Sequence, residues 1–126
     1  MILGTGIDLA ELPRIEKSLN RWGQRFLTRI LAKEELPLLP ANGARQAAWL
    51  AGRFAAKEAA VKALGTGFAQ GIGPKDIAVI AQKDGSPRLL LHGKAQLRAQ
   101  DMGVARMHLS ITHERAMAAA VVILES

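Results

Sequence analysis

Apolar positions recur along this chain in two rhythms, one of strands and one of helices. Residues 1–9 alternate loosely and predict a strand that ends near Asp8. Pro13 then suits the first turn of a helix. On that helix Ile15, Leu19 and Trp22 share one face, while Arg14, Lys17, Arg21 and Arg25 follow another at steps of three and four. Pro37, Pro40, Asn42 and Gly43 mark a loop. Residues 47–64 form the clearest helix: rich in Ala, free of internal Pro, and followed by Gly65, a residue suited to close a helix. A glycine-rich loop follows, with Gly65, Thr66, Gly67, Gly71, Gly73 and Pro74. Residues 77–81 and 88–92 read as strands around a turn at Asp84-Gly85-Ser86-Pro87. Residues 94–102 read as a short helix stopped at Gly103, and 107–113 with 117–124 as a final hairpin. The last strand is apolar on both faces, so it should be central or covered on both sides. The pattern predicts one domain over residues 1–126, of the α+β class, with helices packed on a small antiparallel sheet. Trp22 and Trp49 are expected to be packing residues.

Charge changes this picture more than bulk composition does. Lys and Arg number 17 against 11 Asp and Glu, a net charge of +6. Between Arg14 and Lys33 there are six basic residues and one acid, Glu16. Such a surface attracts nucleic acid, anionic lipid, phosphorylated ligands or an acidic protein. Aromatic residues make up only 4% and Tyr is absent, which disfavours a single-strand reader that stacks bases. The absence of cysteine excludes disulfides and thiolate metal sites. The opening apolar run is too short for a signal peptide, and no stretch reaches the length of a membrane span. A soluble, cytoplasmic protein is expected.

Two carboxylates stand out. Glu58 falls inside the stripe of Phe54, Val61 and Gly65, where an ionised carboxyl is costly unless it is paired or holds a metal. Lys62, four residues on, offers a plain helix pair. Asp8, at the expected strand end, offers the other reading. Together the two carboxylates would make an oxygen-rich site suited to Mg²⁺, whereas alone Asp8 reads as a turn residue. Arg53, Lys57 and Lys62 add positive charge to the same helix. The glycine loop after it either brings backbone N–H groups to a phosphate or simply caps the helix. It is not a Walker A loop, since the order is Lys and then Gly-Thr-Gly. His108 and His113 lie five apart in a strand and so point to opposite faces.

The segment Gly6-Ile7-Asp8 followed by Arg14-Ile15, and the run from Gly52-Arg53-Phe54 through Lys57-Glu58-Ala59 and Lys62-Ala63 to Gly65-Thr66-Gly67, resemble the two signatures of the phosphopantetheinyl transferases, of the short bacterial holo-[acyl-carrier-protein] synthase type. Gly85-Ser86-Pro87 and the stretch from His108 to His113 are similar to later segments of that family. The similarity runs from about residue 4 to the C-terminus.

The resemblance implies the 4′-phosphopantetheinyl transferase fold and a reaction. The family moves 4′-phosphopantetheine from coenzyme A to a serine of apo-acyl carrier protein, in support of fatty acid biosynthesis, and releases adenosine 3′,5′-bisphosphate. It also implies roles. Asp8 and Glu58 would hold Mg²⁺ at the pyrophosphate, and Lys62 would stabilise charge or donate a proton. Glu58, or a water it orients, would deprotonate the serine. Arg53 and His113 would meet the adenosine and 3′-phosphate end of coenzyme A, with Gly65 and Pro87 along the ligand. Arg14, Lys17, Arg21 and Arg25 would dock the acidic carrier protein. A homotrimer with sites between subunits is expected. Two other classes compete. A nucleic-acid-binding module explains the charge but not Asp8, Glu58 or the Gly-Thr-Gly run. A structural subunit without activity is disfavoured by intact Asp8, Glu58 and Lys62.

Overall fold

The computed structural model describes residues 1–126. Three strands form the larger sheet: β1 (Ile2–Glu11), β5 (Met117–Glu125) and β4 (Arg106–His113), antiparallel and in the order β1-β5-β4. β1 does not end at Asp8. Asp8 lies within the ladder opposite Ala120, and pairing continues to Glu11 opposite Met117. Backbone pairing with β5 sets the length of this strand, whatever the polarity of its side chains.

β1 runs directly into α1 (Leu12–Trp22), with Pro13 in its first turn. Gly23, at φ +52°, breaks the helix, and α2 (Gln24–Ile30) starts anew. Arg25 is therefore not on the helix that carries Arg14, Lys17 and Arg21, because a left-handed glycine resets the helical phase. Trp22 is not a core residue either; it is 46% exposed. The guanidinium groups of Arg21 and Arg25 lie 4.9 and 5.9 Å from its ring centroid and cover it instead.

α3 (Gly43–Ala63) begins earlier than its alanine run suggests, because the Asn42 side chain accepts the N–H of Arg45 and caps it. It ends at Leu64, and Gly65 turns away at φ +77°. A second, two-stranded sheet joins β2 (Ile77–Ala81) to β3 (Pro87–Leu91). α4 (Gly93–Met102) follows and closes at Gly103, φ +83°.

The core forms where α3 lies across the inner face of the larger sheet. Ala51, Ala55, Ala59 and Val61 are fully buried there. Contact with β1 is closest: a Cβ on Gly4 would lie 2.1 Å from the Ala63 carbonyl oxygen, and one on Gly6 only 1.8 Å from that of Ala59. Both positions therefore require glycine. Ala118, Ala120, Val122 and Leu124 of β5 are also buried. The opposite face of this sheet is uncovered within one chain: Ile7 is 66% exposed, Leu9 61% and Val121 37%. β5 is thus central, as expected, but covered on one side only. No helix is long and apolar enough to cross a membrane.

Candidate functional site

Gly4, Gly6 and Asp8 share one face of β1, since side chains alternate along a strand. The two glycines press that face against the backbone of α3, so Asp8 arrives beside the helix flank that carries Glu58 and Lys62. The Lys62 ammonium donates to Asp8 Oδ1 at 2.9 Å and to the Ile7 carbonyl at 3.0 Å. The helix pair between Glu58 and Lys62 does not form; Lys62 reaches across to the strand instead. Glu58 is half-buried. Burial lifts its carboxyl pKa above the ordinary range, the negative charge of Asp8 lifts it further, and Lys62 partly offsets both. Two carboxylates and a lysine thus share one small, partly desolvated space. Its donors are all hard oxygens, and the mutual repulsion of the carboxylates is the kind a divalent cation relieves. The residues present fit Mg²⁺ completed by phosphate and water.

The glycine loop does not offer its first amides to a ligand. The N–H of Gly65 bonds the Lys62 carbonyl, and those of Thr66 and Gly67 both bond that of Val61. The loop's opening turn is the cap of α3. Arg98 holds it from the other side, its Nε donating to the Leu64 carbonyl at 2.9 Å.

Lys57 is not a surface charge near the carboxylates. It is fully buried and donates to Glu35 Oε1 at 2.6 Å, to the Pro74 carbonyl at 3.0 Å, and to the Ile77 carbonyl. Burial lowers the pKa of its ammonium, and Glu35 offsets part of the effect. Glu35 also accepts from the N–H groups of Ala32 and Val79. The pair fastens α3 to the end of α2 and to β2. Sequence reasoning missed Glu35. A signal existed in Lys57, which interrupts the buried helical series Leu50, Val61, Leu64 and so calls for an internal partner.

Arg53, and the His113 ring over neighbouring Gly52, lie on a different flank. Arg53 stacks on Trp49 with its guanidinium carbon 4.2 Å from the ring centroid. Its charged neighbours are Glu35 and Lys57, not Asp8 or Glu58. The His113 ring lies across Gly52, where a Cβ would come within 2.8 Å of Nε2. In the sheet, β5 separates β4 from β1, so two strand spacings, roughly 10 Å, lie between Asp8 and its level on β4. Pro87 opens β3, which packs beside β4. One chain therefore brings Asp8, Glu58 and Lys62 together, leaves Gly65 at the cap of their helix, and carries Arg53 and His113 apart from them.

Arg14 and Lys17 are exposed on α1 and line a groove of about 530 Å³ with Leu9, Phe26 and Phe54. The groove begins one residue past Asp8 and one turn before Glu58. Beside it, Trp22, Arg25, Phe26, Arg29 and Lys75 line a cleft of about 720 Å³ with no acidic residue. Arg21 and Arg25 thus meet through Trp22 despite the helix break.

Known proteins resemble this chain in sequence and in fold. Residues 4–121 match the model of the 4′-phosphopantetheinyl transferase superfamily. A holo-[acyl-carrier-protein] synthase of Nitratidesulfovibrio vulgaris is 57% identical over 126 residues, covering 100% of both chains. The crystal structure of the synthase from Neisseria meningitidis superposes with a TM-score of 0.89 at 36% identity, covering 100% of both chains. The synthase from Bacillus anthracis, solved in complex with CoA (3′,5′-ADP), gives 0.83 at 40% identity, covering 100% of this chain and 98% of that one.

Proposed function

This chain belongs to the 4′-phosphopantetheinyl transferase superfamily, and from that premise we propose how its own residues carry the reaction. It is a holo-[acyl-carrier-protein] synthase: it transfers 4′-phosphopantetheine from coenzyme A to a serine of apo-acyl carrier protein and leaves adenosine 3′,5′-bisphosphate. The serine oxygen forms a bond to the phosphorus bearing pantetheine, the pyrophosphate bond breaks, and the serine proton leaves. We read the whole chain as one domain acting in the cytoplasm in support of fatty acid biosynthesis.

The observation that carries the site is the meeting of Asp8, Glu58 and Lys62 where glycines seat β1 on α3. Asp8 and Glu58 are the residues to hold Mg²⁺, which when bound supplies charge neutralisation at the pyrophosphate. Glu58, whose carboxyl favours its proton more than an ordinary glutamate, is suited to accept the serine proton directly or through a water. Lys62 faces the charge that develops on the phosphoryl oxygens. Arg53 and His113 bind the adenosine 3′-phosphate end of the donor, with Gly65 and Pro87 along its length.

Arg14, Lys17, Arg21 and Arg25 steer and dock the acidic carrier protein, the first two beside a groove walled by Leu9, Phe26 and Phe54. The chain works as a homotrimer. Two observations support this: the uncovered apolar face at Ile7, Leu9 and Val121, and the separation of Arg53 and His113 from the carboxylates. A second copy would cover the face and complete the site. Exhaustive chelation of divalent cations should abolish transfer, and added Mg²⁺ should restore it. Undiminished transfer after chelation would remove the metal role of Asp8 and Glu58.

A further inference from the structure

Trp49, Gly52 and Arg53 lie at steps of three and four, so they share one face of α3. The Arg53 guanidinium is packed over the Trp49 ring at 4.2 Å. No hydrogen bond or ion pair within the chain engages it, and its Nε is buried without a partner. An arginine brings five N–H donors in a planar fork that matches a phosphate bidentately. Here that capacity is unspent, and burial already works against the charge, lowering the group's pKa. The same helix face seats the His113 imidazole, which lies over Gly52 because no Cβ there displaces it. Trp49 is half-buried, and one face of its ring is taken by Arg53. It is therefore placed to act through the arginine rather than as an open platform for a base.

We infer that Trp49 is a positioning residue for donor selection: its ring holds Arg53 in the attitude that, with His113, distinguishes donors carrying a 3′-phosphate from donors lacking one. The inference rests on the reading of Arg53 and His113 as contacts of the adenosine 3′-phosphate. An exposed arginine spends side-chain entropy each time it orders around an anion. Stacking on Trp49 orders the guanidinium beforehand, and cation–π contact adds its own stabilisation. The fixed plane makes recognition geometric as well as electrostatic, so a lysine at the same place would not reproduce it.

The test compares kcat/KM for coenzyme A and for 3′-dephospho-coenzyme A, using the full-length enzyme and apo-carrier protein at saturation. The parent should prefer coenzyme A. Arg53→Ala should lose that preference. Trp49→Leu should reduce it about three- to tenfold, through the KM for coenzyme A and with little change in kcat, a size typical of a lost cation–π contact. Trp49→Phe, which keeps a ring, should restore most of it. Arg53→Lys, with Trp49 intact, should lose it like Arg53→Ala, and this variant decides the matter should Trp49→Leu fail to fold. Full preference in Trp49→Leu or Arg53→Lys, beside its loss in Arg53→Ala, would overturn the role of Trp49 and leave the donor contact standing. Full preference in Arg53→Ala would instead remove Arg53 from the 3′-phosphate, and the inference with it.

Discussion

Lys57 is wholly buried, and Glu58, one residue on, is half-buried at the flank of α3. A step of about 100° around the helix separates a charge locked in the interior from one turned towards Asp8. Lys57 spends its donors on Glu35 and two carbonyls, whereas Glu58 has Asp8 and Lys62 around it and no fixed partner of its own. Removing one partner of a buried ion pair leaves a charge with nothing to balance it. Lys57→Met should therefore cost about 3–5 kcal/mol in denaturant unfolding. Adding Glu35→Gln should recover part of the loss, since the stranded charge disappears and the amide oxygen can still accept from Ala32 or Val79. Unfolding of Lys57→Met at the parent midpoint would contradict the strut. The charged residues of the second motif were legible as a set, but their division of labour was not. Lys57 and Lys62 read alike in sequence, and only the path of Glu35 from a distant loop separates them.

Elements were legible where local patterning decides them and displaced where long-range pairing does. The alanine-rich α3, the Gly103 stop of α4 and the β4–β5 hairpin follow from propensity, caps and alternation. The continuation of β1 past Asp8 follows from its ladder with β5, which no local pattern encodes. The break at Gly23 lay in view as a single glycine between two periodic basic runs, and it moves Arg25 onto α2. What positions the site is the contact of β1 with α3, and its sequence trace is Gly4 and Gly6. A Cβ at residue 6 would stand 1.8 Å from the Ala59 oxygen, so strand and helix must part to admit it. Gly6→Ala should lower stability by about 1–3 kcal/mol. It should depress kcat more strongly than the loss of fold accounts for, because Asp8 rides on the displaced strand. Gln100→Ala, at an exposed position of α4, should change neither. Melting by circular dichroism with saturation kinetics separates these effects, and a parent-like Gly6→Ala would refute the seating.

At the scale of the whole molecule, the single chain leaves an apolar sheet face open and holds the carboxylates apart from Arg53 and His113. Sequence showed β5 to be apolar on both sides; it could not show that the second side is left open within one chain. Val121→Glu puts a charge at the centre of that face. It should leave a folded monomer by light scattering and circular dichroism, with transfer largely lost because each site is then incomplete. A Val121→Glu monomer with parent activity would separate assembly from catalysis and contradict the shared site. The most direct test of the account as a whole is the intact mass of apo-carrier protein after incubation with coenzyme A, Mg²⁺ and either the parent or Glu58→Ala. The carrier should gain one phosphopantetheine with the parent and stay largely unmodified with a folded Glu58→Ala. An unmodified carrier with the parent, or equal conversion by Glu58→Ala, would contradict it.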